Sequence, residues 1–324
     1  MALTRYAVKR LLGILPLLFL LSLLSFSIIH LAPGSPASTL LGEKAFDPAA
    51  VQALEERLGL DQPLPLQYLS WLSRVLSGDL GQSIGLKPGY PVIQLLGERV
   101  FPTLALSVSS LLLALLIAVP LGVTSALKPH SFFDRFFSFL AFAEFSLPNF
   151  WLAMMLILVF SVSLNWLPSS GMADPRLASF SWPDFFAHLL LPMVVLALGE
   201  AAALTRYVRG SMLEVLQQEF IRTAKAKGLP SHVVFYKHAL RNALLPLLTL
   251  LGYSIPGLLS GAVLTETVFG WPGMGRLAVN AVFSRDYPVL MAEVLLFGFL
   301  TLIGNLVADI LYACADPRIR YEQP

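Results

Sequence analysis

The chain contains 324 residues, of which 56% are hydrophobic and 13% are charged, and its mean hydropathy is +0.72. A soluble domain of this length carries about twice that share of charged residues, so the composition excludes an ordinary soluble protein and indicates a membrane protein. The net charge of +2 gives no support for a nucleic-acid partner. The single cysteine, Cys314, excludes an intrachain disulfide and a cysteine-based metal cluster.

The first predicted element is a membrane span, in residues 1–31 together with a cytoplasmic N-terminus. Arg5, Lys9 and Arg10 precede an apolar run from Leu11 to Ile29. This run is longer than the roughly 7–15 residues of a cleaved signal peptide, and the LAPGSPAS stretch after it contains no clear Ala-x-Ala cleavage site. We therefore interpret the run as a retained first span.

Residues 32–102 are predicted to form a small helical extracytoplasmic module between the first two spans. Asp47 is suited to the N-cap of a helix, Pro48 to its first position and Gly59 to its end. A second helix is expected from Leu66 to Leu76. About 70 residues can enclose little core by themselves, so we expect the module to rest on the ends of the spans.

Six apolar segments are long enough to cross the membrane, since about 20 apolar residues span roughly 30 Å of hydrocarbon. They lie at about 11–31, 103–127, 136–164, 188–208, 243–264 and 289–313. The predicted fold is therefore an all-α polytopic membrane protein with six transmembrane helices. Its last five spans form a core at 103–318 that includes a cytosolic loop at 209–243, and residues 319–324 form a cytoplasmic tail.

The distribution of lysine and arginine predicts the orientation. With the N-terminus inside, the cytoplasmic segments hold fourteen of these residues and the short outer loops hold three. Cytoplasmic loops of membrane proteins carry such an excess. We expect both termini to lie in the cytoplasm.

The loop at 209–243 reads as a helix, a break and a second helix. Seven lysines and arginines lie between Arg206 and Arg241, and burying them in a bilayer would cost on the order of 20 kcal/mol. Glu219 begins the first helix and Gly228 is suited to the left-handed position that ends it. Small residues at Thr223, Ala224, Ala226 and Gly228 leave this helix nearly bare on one side, where another protein could approach closely. The pattern favours a docking element, and the alternative is an ordinary positively charged loop.

Three acidic residues fall in or near the apolar segments, namely Glu144, Glu200 and Glu293. They are candidates for lining a translocation path, and the alternative is helix–helix hydrogen bonding. Gly257 and Gly261 form a G-x-x-x-G pattern that permits close helix packing, within the chain or against another subunit.

Two further patterns carry no catalytic or metal-binding prediction. GQSIG at 81–85 matches the hydrolase elbow, but a helical insert of about 70 residues cannot supply the large sheet which that motif needs. The five histidines lack the spacing of a zinc site. No phosphate-binding loop of the G-x-x-x-x-G-K-[ST] type occurs in the sequence, so a gate driven by ATP needs a partner that hydrolyses it.

A set of sequence phrases runs along the chain. They are LAPGSPA (31–37), GDLGQSIG (78–85), PNFWLA (148–153), NWLPSSGM (165–172), SMLEVLQQEFIRTAKAKG (211–228), HALRNALLP (238–246), ETVFGWPGMGRL (266–277), RDYP (285–288) and ADPRIRY (315–321). With them the chain resembles, over essentially its whole length, the integral-membrane permease subunit of an ABC importer of the dipeptide/oligopeptide/nickel branch.

The resemblance implies a non-catalytic permease in the cell inner membrane that imports di- or oligopeptides; nickel, glutathione or another small solute is the alternative within the branch. Its implied partners are a second permease, two ABC ATPase subunits that bind the ATP and Mg²⁺, an extracytoplasmic substrate-binding protein and membrane lipid. No cofactor bound by this chain and no nucleic acid are implied. A stand-alone secondary transporter is the distant alternative.

The resemblance also assigns the cytosolic helix as a coupling helix that docks on the ATPase. Its predicted docking residues are Glu219, Arg222, Thr223, Ala224, Lys225, Ala226, Lys227 and Gly228. The sequence departs here from the broad importer pattern, because Arg-Thr-Ala stands at 222–224 where that pattern has Glu-Ala-Ala. A literal Glu-Ala-Ala occurs at 200–202, within the fourth predicted span.

Overall fold

The computed structural model describes residues 2–31, 48–49, 51–52, 56, 61–260 and 262–315. Most of these residues are helical and none forms a strand, apart from an isolated bridge between Gln82 and Pro91, so the all-α fold class is confirmed. In chain order the elements are α1 (Ala2–Leu31), α2 (Leu64–Leu76), α3 (Val92–Leu127), α4 (Phe132–Ser146), α5 (Asn149–Leu156), a π-helical segment π1 (Ile157–Ser163), α6 (Trp182–Leu216), α7 (Glu219–Ala226), π2 (Val233–Ala239), α8 (Leu240–Ala243), α9 (Leu245–Ser260), α10 (Val263–Val268), α11 (Met274–Phe283) and α12 (Tyr287–Ala315).

The two longest helices, α3 and α6, run parallel at the centre of the fold. Leu106 and Leu189 share a core cluster in the first half of α3 and the first turns of α6. Gly122 meets Val208 towards their last turns, where a Cβ added to the glycine would lie 2.7 Å from the Cβ of Val208. Because both helices begin at the same end of the molecule, the chain crosses back once between them, through α4, α5 and π1.

The return crossing between α3 and α6 is bent rather than straight. The axes of Phe132–Glu144 and Asn149–Ser163 differ by 102°. Leu147 and Pro148 are extended between them, and the residue before a proline disfavours helical backbone angles. The proline therefore accounts for the break that divides this segment.

The first helix packs against the last helix and against α2. Ser25 donates a hydrogen bond of 2.8 Å to the carbonyl oxygen of Met291 in α12, and the Ser22 hydroxyl lies 2.7 Å from that of Tyr68 in α2. Phe26 and Trp71 pack around the Tyr68 ring. A helix is therefore present where the second helix of the module was predicted, beginning at Leu64 rather than Leu66, and it packs against α1.

The remainder of the predicted module is only partly visible in the described residues. Its first helix, with Asp47 and Gly59, lies largely outside them, although 48–49, 51–52 and 56 are helical. At its other end, the predicted boundary at residue 102 falls inside α3, which begins at Val92. The module and the second predicted span therefore share one continuous helix.

Three helical stretches of the described residues are individually long and apolar enough to cross a membrane: Val92–Leu127, Trp182–Leu216 and Tyr287–Leu306. The bent pair gives a fourth if it is counted as one span. The predicted first and fifth spans coincide with α1 and α9. In α1 the apolar stretch among the described residues is the shorter Gly13–Ser27, and in α9 no described stretch is long and apolar enough to count as a span. The six-span count therefore stays a prediction.

Candidate functional site

The predicted docking helix α7 is held against the rest of the chain by two inward-facing residues. Ile221 is fully buried and Ala224 is 7% exposed. They belong to a core cluster with residues of α6, π2, α8 and α9, which include Val208, Met212, Val215, Val234, Ala239, Ala243 and Leu247. The helix is amphipathic because its anchoring residues recur at an interval of three. Helix α7 is therefore packed into the fold by these two residues.

The other predicted docking residues point outward. Arg222, Thr223, Lys225, Ala226 and Lys227 are exposed, as are the terminal residues Glu219 and Gly228. The expectation that Ala224 contributes to a bare outer side is wrong, because its methyl group packs inward beside Ile221. The exposed side instead presents cations around the small side chains of Thr223 and Ala226.

The end of α7 follows the predicted glycine termination. Gly228 has φ of +74°, and its N–H donates to the Lys225 carbonyl oxygen at 3.0 Å. This left-handed conformation is readily adopted by glycine and strains most other residues. A Cβ at this position would meet no atom within 4 Å. The end of the helix is consequently bare on its outer side.

An ion pair between a buried carboxylate and a partly exposed arginine connects the neighbouring helices α4 and α6. Arg209 donates two hydrogen bonds, of 2.7 and 2.9 Å, to the carboxylate of Asp134, which is 3% exposed. Asp134 also accepts from the backbone N–H of His130, while its own N–H donates to the Ser131 hydroxyl. Sequence reasoning treated Arg209 only as a loop cation. The Ser131-x-x-Asp134 spacing is the sequence signal that could have indicated a capped helix start here.

The three acidic path candidates occupy different environments. Glu200 is exposed on α6, and Glu144 is half-buried, with a carboxylate oxygen that would lie 3.1 Å from a Cβ on Gly199. Glu293 on α12 is 2% exposed, and neither of its oxygen atoms has a hydrogen-bond partner. Glu144 and Glu200 thus border the same stretch of α6, whereas Glu293 lies inside the subunit and lines no open surface.

Of the two glycines in the predicted packing motif, the structure describes Gly257, and Gly261 lies outside the described residues. A Cβ added at Gly257 would meet no atom within 4 Å. The packing role of the motif therefore stays a prediction. Close approach occurs at Gly122 against α6 and at Gly298, where an added Cβ would overlap Leu21 of α1. Neither of these glycines belongs to a G-x-x-x-G pattern.

At the opposite end of α3 from α7, the loop before α3 encloses a carboxylate. Asp286 is fully buried and accepts hydrogen bonds from the Ser83 hydroxyl and from the backbone N–H groups of Ile84, Gly85 and Leu86. The GQSIG segment is therefore an anion-holding loop formed around a side chain of its own protein. The serine of this segment, Ser83, donates its hydroxyl hydrogen bond to Asp286.

A second buried carboxylate organises the start of α11. Glu266 accepts from the Thr103 hydroxyl at 2.9 Å and from the backbone N–H of Arg276 at 3.0 Å, while Thr103 accepts from Met274 N–H. Burial raises the pKa of Glu266, and its hydrogen-bond donors act in the opposite direction. The ETVFGWPGMGRL segment therefore contains the turn between α10 and α11. Its Glu266 accepts hydrogen bonds from the first turn of α11 and from Thr103 on α3.

Two family models match the chain. The model described as "Binding-protein-dependent transport system inner membrane component" matches residues 118–321, and that of the N-terminal part of such a membrane component matches residues 3–95. Together they include α7, residues 83–86 of the loop and Asp286.

Curated relatives match over nearly their full length. The chain is 44% identical to the oligopeptide transport system permease protein AppB of Bacillus subtilis over 98% of this chain and 99% of AppB. It is 41% identical to the dipeptide permease DppB of Alkalihalophilus pseudofirmus and 42% identical to the glutathione permease GsiC of Pectobacterium atrosepticum, with the same coverage.

A solved structure shares the fold. A chain of the MetNI methionine ABC transporter, in an inward-facing conformation, superposes with a TM-score of 0.55 and 19% identity. The superposition covers 69% of this chain and 97% of that one. At this identity the likeness concerns the fold alone.

Proposed function

Since this chain belongs to the family of binding-protein-dependent transport system inner membrane components, we propose that it is the membrane permease subunit of an ATP-driven importer of di- and oligopeptides. The names of the relatives AppB and DppB support the substrate class. The chain itself contributes the path and has no catalytic role, and ATP with Mg²⁺ is bound by partner ATPase subunits.

The proposed topology has six spans with both termini in the cytoplasm. Helices α1, α3, the bent pair, α6, α9 and α12 supply the spans in chain order. The parallel arrangement of α3 and α6 supports this order, because two helices separated by one return crossing must run in the same direction. The α7 end then faces the cytosol, and the Asp286 loop faces outward.

The exposed side of α7 is the proposed contact with the ATPase. Ile221 and Ala224 hold the helix to the core cluster, so a force applied to Arg222, Lys225 or Lys227 is passed to α6 and α9. A bare glycine end and small side chains allow another protein to approach the backbone closely. This anchored helix with an exposed outer side is the observation that carries the proposal.

The translocation path is proposed to form between this chain and a second, homologous permease. Glu144 and Glu200 lie on or beside an exposed part of α6 and remain the candidates to line it. Gly257 and Gly261 remain the candidates for close helix packing, within this chain or against the second permease. A substrate-binding protein would deliver the peptide at the outer end.

Site-specific crosslinking tests the proposed docking. With Cys314 changed to Ser, a single cysteine is placed at Lys227, or at Arg74 on α2 as a control near the other end of α3. In native membranes, Lys227→Cys should crosslink to an ATPase subunit, whereas Arg74→Cys should not. Copurification of an ATPase that crosslinks only away from α7 would refute the docking role, and the absence of any copurifying ATPase would refute the importer itself.

Glutathione is a second candidate substrate, because the GsiC relative is as similar to the chain as the peptide permeases are. The two are separated by uptake of labelled dipeptide in competition with glutathione. Inhibition by unlabelled dipeptide alone supports the peptide assignment.

A further inference from the structure

A cavity of about 290 Å³ lies at the proposed outer end of the molecule, beside the first turns of α3 and α11. Three cationic side chains line it, those of Lys87, Arg99 and Arg276. Its only acidic lining residue is Glu98. The cavity is therefore a concentration of positive charge in a chain whose formal net charge is only +2.

The one acid in the lining is already engaged. Glu98 accepts a hydrogen bond of 2.7 Å from the Tyr90 hydroxyl. The ammonium group of Lys87 lies 3.3 Å from the centroid of the same Tyr90 ring, which is a cation–π contact. Glu98 thus offsets one of the three positive charges and leaves an excess of positive charge in the pocket.

Another acid, Glu266, lies behind the pocket wall formed by Gly273, and its carboxylate is directed at other groups. Its oxygen atoms accept from Thr103 and from the backbone N–H of Arg276. The side chain of Arg276 in turn donates to the Gly270 carbonyl oxygen. Arg276 is therefore fixed in position at the rim without forming a side-chain ion pair among the described residues.

Arg99 has unused hydrogen-bonding capacity. Its Nε is buried and has no hydrogen-bond partner, and its terminal nitrogen reaches the Pro272 carbonyl oxygen at only 3.4 Å. Buried polar groups are normally paired, and a guanidinium group bonds carboxylates through two parallel N–H donors. Arg99 also forms no ion pair among the described residues, so a negatively charged group in the pocket would supply the carboxylate that its guanidinium group lacks.

We propose that this pocket binds the carboxylate group of a small solute, with Arg99 as the principal donor and with Lys87 and Arg276 as flanking charges. The inference rests on the proposed function, under which the carboxylate is the C-terminus of a short peptide. A volume of about 290 Å³ is at the lower end of the range for small-molecule pockets. The pocket accordingly fits the end of a peptide rather than a long chain.

The test uses the complete complex in nanodiscs of phosphatidylcholine, without the binding protein. Binding of the dipeptide Ala-Ala and of its C-terminal amide is measured by saturation-transfer NMR. The amide should bind at least about tenfold more weakly, since it lacks the charge-assisted hydrogen bonds. Arg99→Gln should weaken Ala-Ala by about the same factor and leave the amide unchanged, whereas Arg74→Gln, which removes an exposed cation from α2, should change neither.

Lys87→Gln serves as a second variant if Arg99→Gln does not fold, and it should weaken Ala-Ala several-fold. Equal binding of Ala-Ala and its amide would overturn the proposal. Displacement by inorganic phosphate, or by adding phosphatidylglycerol to the nanodiscs, without any preference for the free carboxylate would assign the pocket to phosphate and would also overturn it. Copurification of an ATPase in the same sample tests the proposed importer function separately. The carboxylate pocket and the importer function can therefore be refuted independently.

Discussion

The carboxylate of Asp286 accepts a hydrogen bond of 2.5 Å from the hydroxyl group of Ser83, which lies 203 residues earlier in the chain. Three consecutive backbone N–H groups, from Ile84 to Leu86, converge on the same carboxylate. An added Cβ at Gly85 would overlap the Ser284 carbonyl oxygen, so the loop needs a glycine there to approach so closely. The loop before α3 and the turn before α12 are consequently one unit.

Replacing Asp286 by Asn should detach this loop. The asparagine amide would present an N–H₂ group to a site that contains four hydrogen-bond donors. Since hydrogen bonds to a charged acceptor contribute about 1.5–3 kcal/mol each, we expect the free energy of unfolding to fall by about 3 kcal/mol. Thermal melting in detergent should fall by several degrees, with faster proteolysis within 78–91. Ser83→Ala should cost about 1 kcal/mol. Arg285→Gln, at an exposed neighbouring position, is the control, and a smaller effect for Asp286→Asn than for this control would contradict the account.

Removing Arg209 should destabilise the chain more than removing its partner. Arg209→Ala leaves the Asp134 carboxylate buried without its cation, which costs about 3–5 kcal/mol. Asp134→Asn leaves Arg209 partly in solvent and should cost less. The melting temperatures of both variants and of the double variant give the coupling energy, with Lys128→Gln as an exposed cation control. Equal effects of the two single variants would show that burial of Asp134 is not the determining factor.

Gly228→Asn should reduce uptake at least about tenfold while the protein still accumulates in the membrane. Asparagine tolerates the left-handed conformation better than most residues, so α7 should still end at the same place. Its side chain would occupy the open space at the helix end, where we propose that the ATPase approaches. Gly78 has φ of +85° and similarly open surroundings, so Gly78→Asn is a matched control and should retain uptake. Normal uptake by Gly228→Asn would refute close docking at this glycine.

Gly122→Ala should destabilise the contact between α3 and α6 by about 1–3 kcal/mol, because its Cβ would lie 2.7 Å from Val208 and 2.9 Å from the Thr205 carbonyl oxygen. Val208→Ala in the same chain should recover part of the loss. Gly97→Ala, at an open helical position of α3, should be neutral or stabilising. The comparison is made by thermal melting, and similar losses at residues 97 and 122 would argue against a steric cause.

The helices could be predicted where an apolar run was bounded by residues that begin or end helices. Apolar length located α3, α6 and α12, and Gly228 with Pro230 located the end of α7. Hydropathy alone did not reveal that α3 begins at Val92, because residues 92–102 mix apolar and charged side chains and read as part of the preceding module. Helices α10 and α11 were missed because they are short and lie in a segment that was treated as a loop.

The candidate site was only partly predictable because side-chain direction depends on packing partners far away in the sequence. The direction of Ala224 depends on the core cluster that π2 and α8 complete, and these elements follow it in the chain. In the same way, Ser83 finds its acceptor and Thr103 its carboxylate only after the chain has folded back. A single sequence contains the residues of these contacts but not their pairing.

Helix α3 joins the cluster that receives α7 to the loop that encloses Asp286. At 1.5 Å per residue, its 36 residues make a rod of roughly 54 Å. A rigid helix that tilts about its middle moves its two ends in opposite directions, so a displacement at the α7 end would produce an opposite displacement at the Asp286 end. Where the two ends are coupled in this way, a ligand bound at the Asp286 end changes the affinity of a partner at the α7 end, and that partner changes the affinity of the ligand by the same factor.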